Sequence, residues 1–413
     1  MEKTICELFA GVGGFRLGFD ALASGWDTVW FSQWEPGKKI QWAHDCYVSH
    51  FGDSPDTNGE YHTGEDIAEV NKTTIPDHTL LVGGFPCQDY SVAHSLSSSQ
   101  GIEGRKGVLW WQIRDTIIAK NPPFCLFENV DRLLKSPAKQ RGRDFGMILA
   151  CLANLGYSAE WRVINAAEYG GAQRRRRIFI FAYKDTTQYA QSIAEETAGS
   201  VILEKGLMPQ AFPVSDIASL TEAELPEDLY TVSDTFSFPF KKAGYMTGGK
   251  IYTTEVTEKG EPPIVLGKIL EPCPEENEDL YLDVERLKKW TYLKGAKKIP
   301  RVAANGHKYV FSEGPIAFPD TWDKPARTML TSESTLNRST HVVNDPHTGK
   351  LRLLLPEEAE KLQGFPSGWT GITTADGKKM PRRMRYFCMG NALVVPMITR
   401  MGRVLDAIIE KEP

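Results

Sequence analysis

The chain has 413 residues, too many for one small domain and suited to two. A hydrophobic content of 41% can form a full core and argues against an intrinsically disordered chain. Met1 leads almost directly into an apolar run without a signal-peptide pattern, and no apolar run is long enough to span a membrane. We therefore expect a soluble cytoplasmic protein.

The formal net charge of −5 hides an uneven distribution of charge along the sequence. Residues 191–230 carry eight acidic side chains and one lysine, whereas residues 286–308, the basic stretch, carry eight Lys or Arg and no acid. Net charge says little about nucleic-acid binding when charges are segregated in this way. The basic stretch, with Trp290 and Tyr292 among its cations, is a candidate for phosphate contacts, and a solvated helix face is the alternative.

The cysteines give no sign of a disulfide framework or a zinc site, because their number is odd and none is spaced as C-x-x-C. They are Cys6, Cys46, Cys87, Cys125, Cys151, Cys273 and Cys388. We therefore expect reduced thiols and no metal.

Short apolar runs alternate with longer segments of mixed polarity in the first part of the chain. The predicted strands are residues 4–11, 27–35, 79–87, 124–130 and 177–183. Residues 110–120 and 145–156 are predicted helices, and the second has apolar residues at i, i+3, i+4 and i+7. This alternation predicts an α/β fold with a mostly parallel, doubly wound sheet.

A change of composition after residue 185 predicts a second, smaller domain, because Pro, Gly and blocks of charge become frequent there. We assign residues 1–185 and 385–413 to the first domain and residues 186–384 to the second. Residues 390–410 return to helical periodicity and are expected to pack against the first domain.

The glycine-rich loop after the first predicted strand is a candidate ligand site. Gly11, Gly13 and Gly14 let the backbone turn sharply and approach a ligand closely. Arg16 stands where a dinucleotide fingerprint, G-x-G-x-x-G, requires its third glycine, which disfavours that class of ligand. Taken alone, the loop is equally well explained as a tight structural turn.

Two acidic residues follow in later turns of the same part of the chain. Glu35 closes the second predicted strand, where nucleotide-binding folds place a carboxylate on ribose hydroxyls, and Asp66 is suited to bind an adenine amino group. Each acid alone is more often a helix cap or a turn residue. Three ligand-type turns in strand order, without a phosphate-type Lys or Ser in the first loop, favour a nucleoside site.

Cys87 follows the segment Gly83-Gly84-Phe85-Pro86 at the end of an apolar strand. A lone cysteine is usually a packing residue, but ligands in such sheets bind beyond the carboxyl ends of the strands. A nucleophilic thiolate also needs positive charge nearby. Glu128 ends another apolar strand, and a carboxyl group there can bond to a ring nitrogen and an exocyclic amine of a pyrimidine together.

A basic run, residues 173–177, leads directly into the last predicted strand of the first domain. In an extended chain Gln173, Arg175 and Arg177 share one face. A solvated run is the usual interpretation of such a segment. Here one face must point inward, and a buried guanidinium needs an anionic or polar partner.

Together these segments resemble the DNA cytosine carbon-5 methyltransferases of bacterial restriction–modification systems. The resemblance covers most of the chain in the family's motif order, through ELFAGVGGFRLG (7–18), GGFPCQDYS (83–91), ENV (128–130), QRRRR (173–177), RLLLPEEAEKLQGFP (352–366) and GNALVVP (390–396). The chain departs from the family pattern at Glu7, where aspartate is commoner, and at Gly171-Ala172, where a bulkier pair is usual.

The resemblance implies a Rossmann-like, doubly wound fold that uses S-adenosylmethionine and releases S-adenosylhomocysteine. The residues expected at the cofactor are Phe9, Gly11, Gly13, Gly14, Phe15, Glu35, Asp66, Ile67, Pro86, Leu109 and Asn391. Cys87 would attack carbon 6 of cytosine, while Glu128 would hold the base and promote protonation at ring nitrogen 3. Arg175 and Arg177 would anchor the flipped nucleotide and the catalytic loop. Carbon 5 would then take the methyl group, and loss of its proton would expel Cys87.

Attack on a stacked cytosine requires the base to be flipped out of the duplex. Residues 91–107 are expected to close over the substrate as a lid, and the second domain is expected to read the bases. DNA contacts are assigned to Gln88, Ser91, Gln173, Lys288, Lys289, Lys294, Lys297, Lys298 and Arg301. Arg327 and Thr328 are assigned a structural role in that domain.

Two alternatives remain, an RNA cytosine methyltransferase and a DNA-binding protein on an inactive methyltransferase scaffold. The long second domain argues against the first, and the presence of all expected catalytic residues argues against the second. We therefore expect a monomer that acts on double-stranded DNA, away from membranes, with a cognate restriction endonuclease as a separate partner.

Overall fold

The computed structural model describes residues 1–85, 108–303 and 306–413. Within these ranges the chain forms two compact units. The first comprises Met1–Tyr169, Arg176–Glu261 and Leu393–Pro413, and the second comprises Gly170–Arg175 and Pro262–Ala392. No helix in the described ranges is long and apolar enough to cross a membrane.

The first unit contains most of the strands and helices. Its strands are β1 (Thr4–Leu8), β2 (Asp27–Ser32), β3 (Leu80–Gly84), β4 (Phe124–Val130), β5 (Tyr157–Asn165), β6 (Arg176–Lys184), β7 (Val214–Ile217), β8 (Thr221–Glu224), β9 (Ala243–Thr247), β10 (Lys250–Thr254) and β11 (Val256–Glu258). The second unit contributes β12 (Lys297–Val302), β13 (Lys308–Glu313), β14 (Val342–Asn344) and β15 (Leu351–Leu353).

The helices follow the same division. Those of the first unit before residue 262 are α1 (Gly14–Asp20), α2 (Trp42–Phe51), α3 (Val108–Lys120), α4 (Arg143–Asn154), α5 (Gln188–Ala194), α6 (Ala198–Ser200), α7 (Leu207–Ala211) and α8 (Leu229–Thr235). The second unit contains α9 (Val284–Lys294), α10 (Pro356–Leu362) and α11 (Arg382–Asn391), and the chain returns to the first unit with α12 (Val395–Ile409).

One mixed sheet organises the first unit. Among the described residues it has nine strands in the order β2-β1-β3-β4-β6-β5-β9-β10-β8. β1 pairs in parallel with β2 and β3, and β3 pairs in parallel with β4. From β4 to β8 every neighbouring pair is antiparallel, because β6 runs back between β4 and β5 instead of starting another β–α–β unit. The α/β fold class is confirmed, but only four strands of the sheet are parallel.

The predicted elements of the first part of the chain are confirmed as β1, β2, β3, β4, β6, α3 and α4. The central strands are apolar along their length because helices cover such a sheet on both faces. In β3, Leu80, Leu81 and Val82 are fully buried, as is Leu126 in β4. This rigid centre fixes the positions at which the strands end.

The boundary between the units differs from the one predicted after residue 185. Residues 186–261 belong to the first unit, because β9 pairs with β5 and β10 and β8 extend the same sheet. At the other end, residues 385–392 belong to the second unit and residues 393–413 to the first. In this structure, Pro, Gly and charge in residues 186–261 coincide with short strands and turns at one side of the sheet.

The C-terminal helix α12 packs against α1, as predicted for the tail. A Cβ atom at Gly18 would lie 2.6 Å from Ile398 Cβ, so the two helices meet where α1 has no side chain. Thr399 Oγ1 donates to the Gly18 carbonyl at 2.9 Å, and Trp26 Nε1 donates to Asp406 Oδ1 at 2.8 Å. The end of the chain therefore helps to hold the helix that follows the glycine-rich loop.

The second unit is organised around buried charge as well as apolar packing. Arg352 is fully buried and lies 2.9 Å from Asp345 Oδ2 and 2.7 Å from Glu358 Oε1. Glu358 also accepts from the backbone N–H of Leu355 at 2.7 Å, at the start of α10. These contacts give the segment 352–366 a structural role in its unit.

Candidate active site

The parallel strands bring several predicted site residues to one edge of the sheet. Leu8 is in register with Ser32 of β2 and Gly83 of β3, and Gly84 is in register with Glu128 of β4. Because the carboxyl ends of parallel strands lie at the same edge, the turns after β1 and β2 lie at the same edge as Glu128.

The turn after β1 has an unusual backbone. Phe9, Gly11 and Gly13 have φ angles of 56°, 58° and 87°. The Gly11 N–H donates to Gln33 Oε1 at 2.7 Å, and a Cβ atom on Gly11 would meet no other atom within 4 Å. A Cβ atom on Gly13 would instead lie 2.5 Å from the Phe51 ring. The absence of a side chain at Gly11 therefore leaves open space beside the loop, whereas a side chain at Gly13 would collide with the Phe51 ring.

A buried carboxyl group supports this loop from beneath. Glu7 is fully buried, and Tyr47 donates its hydroxyl to Oε2 at 3.2 Å. Burial raises the pKa of Glu7 to about 8, although the Tyr47 hydroxyl, Arg16 and the N–H groups of Phe15 and Arg16 lower it. Gly13, the N-cap of α1, has no side chain with which to cap the helix, so the buried Glu7 carboxyl group is the acidic group beside its first turn.

Glu35 is suited to the role in cofactor binding that was predicted for it. It follows β2, and its backbone N–H donates to Gln41 Oε1 at 2.7 Å. Its Oε2 atom is buried and has no hydrogen-bond partner among the described residues, and burial raises the pKa of this carboxyl group. A buried acceptor without a partner fits a ligand that brings hydroxyl donors, as a ribose does.

The other predicted cofactor residues have varied surroundings. Asp66 Oδ1 accepts from the Ala68 N–H at 3.0 Å, which is the turn-stabilising role considered as its alternative. Ile67 is buried, and Leu109 is half-buried against the same core. Asn391 is an exposed residue at the end of α11 in the second unit. Gly14 and Phe15 are buried in the first turn of α1, and Pro86 lies outside the described residues.

Glu128 and Arg177 form an ion pair at the sheet edge. Arg177 Nε lies 2.8 Å from Glu128 Oε1, and the two side chains are 17% and 12% exposed, respectively. Arg177 is in register with Val130, so the pairing of β4 with β6 holds the two charges together. A Cβ atom on Gly84 would lie 3.2 Å from Glu128 Oε2, so glycine makes room for the carboxylate.

The backbone that leads to Cys87 is fixed beside this pair. Asn129 Nδ2 donates to the Phe85 carbonyl at 2.7 Å in a buried contact. The Phe85 ring packs against Trp110 with 5.6 Å between ring centroids. Cys87, Gln88, Ser91 and the predicted lid of residues 91–107 lie outside the described residues.

The described cysteines are poor nucleophiles. Burial raises the pKa of the thiols of Cys6 and Cys125 far above the usual range and raises that of Cys151 to about 11. Cys46 and Cys388 are also buried. Since the thiolate is the reactive form, these residues serve packing.

The basic run divides at Arg176. Gln173 and Arg175 are buried whereas Arg174 and Arg176 are exposed, which confirms the predicted alternation. Arg177 forms the ion pair with Glu128. Arg175 is 1% exposed and belongs to the second unit, where it donates to the carbonyls of Met329 at 3.0 Å and Gly390 at 2.8 Å.

Gln173, predicted to contact DNA, is a buried residue in this structure. It is fully buried, and its Oε1 atom accepts from the Met329 N–H at 2.8 Å. The structural role assigned to Arg327 and Thr328 agrees with their contacts. Arg327 donates to both oxygens of Asp320 at 2.7 and 3.1 Å, and Thr328 Oγ1 donates to the Arg174 carbonyl.

The lysines of the basic stretch are not equivalent. Lys294, predicted to contact DNA, is 1% exposed, donates to the Thr340 carbonyl and lies 3.8 Å from Asp320. Burial lowers the pKa of Lys294 to about 8. Lys297 is largely covered, with its ammonium 2.9 Å from the Leu293 carbonyl. Lys288, Lys289, Lys298 and Arg301 are exposed.

One group of metal-ligand type occurs among the described residues. Ligand atoms of Asp56, Glu60 and His62 lie within 4.8 Å of one another. Asp56 accepts from the N–H groups of Asn58 and Glu60, and His62 contacts Glu60 at 3.2 Å. These contacts account for the group as a stabilised turn.

Comparisons with known proteins identify a family for this chain. Residues 3–407 match the family described as C-5 cytosine-specific DNA methylase. The Type II methyltransferase M.Sau3AI of Staphylococcus aureus is 48% identical over 410 residues, which cover 98% of this chain and 95% of that protein. The Type II methyltransferase M.NgoBI of Neisseria gonorrhoeae is 35% identical over 191 residues, 46% of this chain and 53% of that protein.

Solved structures share the fold at low sequence identity. Entamoeba histolytica methyltransferase EhMeth and S. pombe Dnmt2 methyltransferase are each 14% identical, with TM-scores of 0.56 and 0.57. The comparisons cover 99% of this chain, with 98% and 99% of those chains. The chain therefore belongs to the C-5 cytosine-specific DNA methylase family and is a DNA cytosine-5-methyltransferase.

Proposed function

We propose that this enzyme methylates carbon 5 of a cytosine flipped out of a short, specific sequence of double-stranded DNA, through a covalent adduct with Cys87. The Glu128–Arg177 ion pair carries the proposal. It lies beside Gly84 at the strand edge, and Asn129 holds the Phe85 carbonyl next to it, where the described chain leads towards the thiol.

Each group has a distinct chemical task. The thiolate of Cys87 forms a bond to carbon 6, which moves electron density to carbon 5. Glu128 binds the exocyclic amine and ring nitrogen 3, and promotes protonation there, so that the ring can accept these electrons. Arg177 orients the Glu128 carboxyl group and compensates its charge in a site of low exposure. Carbon 5 then takes the methyl group, and loss of its proton breaks the carbon–sulfur bond.

The cofactor implied by the family is S-adenosylmethionine, whose sulfonium supplies an electrophilic methyl group. Glu35 would bind the ribose through its buried carboxylate oxygen, and the open backbone at Gly11 would face the ligand. Phe9 and Asp66 would bind the adenosyl group. Arg175 would act as a positioning residue, since its guanidinium ties residues 329 and 390 together within the second unit.

The names of the curated relatives support a restriction–modification setting. Both relatives cited above are named Type II methyltransferases. We propose that this chain is a monomer that protects a specific DNA sequence from a separate restriction endonuclease, and that its second unit recognises the sequence. Double-stranded DNA is favoured over RNA because the family that matches is a DNA methylase family.

The test combines plasmid methylation with adduct trapping. Bisulfite sequencing of plasmid DNA from cells that express the protein should show 5-methylcytosine in one short sequence context. Cys87→Ser should bind DNA without turnover, because a hydroxyl is a far poorer nucleophile at neutral pH. Cys273→Ser, at a half-buried thiol, is the matched control and should remain active.

A duplex with 5-fluorocytosine at the target should trap the wild-type protein covalently. Fluorine replaces the carbon-5 proton, whose loss would otherwise break the bond to Cys87. No adduct should form with Cys87→Ser. An adduct retained in that variant, or unchanged turnover, would overturn the assignment of Cys87.

A further inference from the structure

The second unit presents a two-stranded ribbon formed by β12 and β13. The strands are antiparallel, and the register pairs are Lys297 with Glu313, Lys298 with Ser312, Ile299 with Phe311, Pro300 with Val310, Arg301 with Tyr309 and Val302 with Lys308. Because side chains alternate along a strand, these pairs fall on two faces. The outer face is defined as Lys298, Pro300, Val302, Lys308, Val310 and Ser312.

The two faces differ sharply in exposure. Every residue of the outer face is exposed, including Val302 at 64% and Val310 at 60%. On the opposite face Lys297, Ile299, Phe311 and Glu313 are partly covered, whereas Arg301 and Tyr309 near the tip are exposed, and the Arg301 guanidinium stacks over the Phe311 ring at 4.0 Å. The outer face is therefore exposed along its whole length, and the opposite face is partly covered at the base of the ribbon.

The base of the ribbon is anchored by ionic contacts and hydrogen bonds. Arg338 donates to the carbonyls of Leu293 at 2.8 Å, Gly295 at 3.2 Å and Gly314. It also lies 3.5 Å from Glu313, whose carboxylate is 3.5 Å from Lys297. A two-stranded ribbon is marginally stable alone, so this anchoring lets it project with its outer face uncovered.

The outer face combines lysines with exposed β-branched side chains. Lys298 and Lys308 lie at its two ends on different strands, Val310 lies between them opposite Pro300, and Val302 lies opposite Lys308. The lysines suit phosphates, and the small apolar groups beside them suit thymine methyl groups. A two-stranded ribbon also fits the major groove of B-DNA, which is about 12 Å wide.

We propose that the outer face of the β12–β13 ribbon enters the DNA major groove and determines part of the recognition sequence. This inference rests on the proposed function, since it presupposes a specific duplex substrate. Lys298 and Lys308 bind phosphates on either side of the groove. Val302 and Val310 contact base edges and discriminate a thymine methyl group from its absence.

The specificity test uses Val302→Ala and Val310→Ala, with Val284→Ala as the matched control, because Val284 is 69% exposed on α9. Methylation rates are measured on the sequence found by bisulfite sequencing and on duplexes with each base pair substituted. The ribbon variants should lower discrimination at one or two positions by at least about fivefold, the lower end of what a base contact contributes. The control should keep the wild-type preference.

The phosphate test uses Lys298→Ala and Lys308→Ala, with Lys250→Ala, an exposed lysine of β10, as the control. Each ribbon variant should weaken binding to all duplexes alike and reduce the slope of log K against log salt by about one. Midpoints of thermal unfolding should match the wild type, which excludes loss of folding as the cause.

Wild-type discrimination and salt slope in all four ribbon variants would overturn the inference. Sedimentation that shows a wild-type dimer dissociated by Val302→Ala or Val310→Ala would also overturn it, in favour of a second copy on this face. These outcomes are distinct from failure of the proposed function, in which the wild-type protein itself methylates no DNA.

Discussion

The strand edge of the first unit and the ribbon of the second unit hold their charges in opposite ways. At the edge, the Glu128 carboxylate is paired with Arg177, and both side chains have little exposure. On the ribbon, Lys298 and Lys308 project into solvent. A fixed and desolvated charged group suits catalysis, because it is already oriented towards the charge that develops on the substrate in the transition state. Exposed charge suits a partner that itself supplies the opposite charge.

The largest effect on the methylation rate should come from removing the Glu128 carboxyl group. Glu128→Gln keeps the shape of the side chain but removes the carboxyl group that Arg177 orients. Single-turnover methylation should fall by about 10²- to 10⁴-fold, the range of one acid–base group. Glu255→Gln, which removes an exposed carboxylate 3.6 Å from Lys242, should leave the rate unchanged. A Glu128→Gln rate near that of the wild type would remove this carboxyl group from the mechanism.

The next effect separates two arginines that lie two positions apart. Arg175→Met removes two hydrogen bonds from a buried guanidinium to backbone carbonyls and should lower the free energy of unfolding by about 3 kcal/mol. Arg177→Met should lower it by about 1 kcal/mol yet reduce turnover strongly. Urea titration and single-turnover assays measure the two quantities. Arg174→Ala, at an exposed position, is the control, and equal behaviour of both variants would contradict this division.

A smaller effect concerns pH and Glu7, whose pKa is raised by burial from 4.5 to about 8. Between these values the folded chain keeps a proton that the unfolded chain has lost, so stability should fall as pH rises through this window. Glu7→Gln cannot ionise and should lose this dependence. Urea titrations at about pH 5.5 and about pH 8.5 would measure it. Parallel pH dependence in variant and wild type would show that Glu7 ionises normally.

The smallest effect should separate two lysines of the basic stretch. Lys288→Ala removes an exposed charge and should reduce the salt slope of DNA binding by about one, with little change in stability. Lys294→Ala removes a buried ammonium bonded to the Thr340 carbonyl, so it should lower stability and leave the slope unchanged. DNA binding over a series of salt concentrations measures the slope, and urea titration measures the free energy of unfolding. The reverse pattern would mean that Lys294 reaches the DNA.

The sequence predicted the apolar strands well but not their direction. β6 is largely apolar, like β3 and β4, and burial on both faces gives the same pattern in parallel and antiparallel strands. β5 was not predicted, because Ser158, Glu160 and Arg162 interrupt its apolar residues. The antiparallel half of the sheet, with β9 and β10, was therefore missed. The strand ends were predictable because Gly, Pro and acidic residues interrupt the apolar runs there.

The site was predictable where residues adjacent in sequence act together, and less so where the partner is distant. Alternation placed Arg175 and Arg177 on one face, yet β6 begins at Arg176, so only Arg177 pairs across to β4. Gln33 and Tyr47, which bind the glycine loop and Glu7, carry no local pattern of their own. Lys294 is buried because of its place on α9, which the density of charge did not reveal.

The hydrogen bond from Asn129 to the Phe85 carbonyl links the strand that carries Glu128 to the residue two positions before Cys87 in the sequence. We expect this hydrogen bond to couple the position of the Glu128 carboxyl group to that of the proposed nucleophile. Variants of Glu128 and Cys87 should therefore show non-additive effects on rate, and Asn129 becomes a position at which both can be tuned without contact with the substrate.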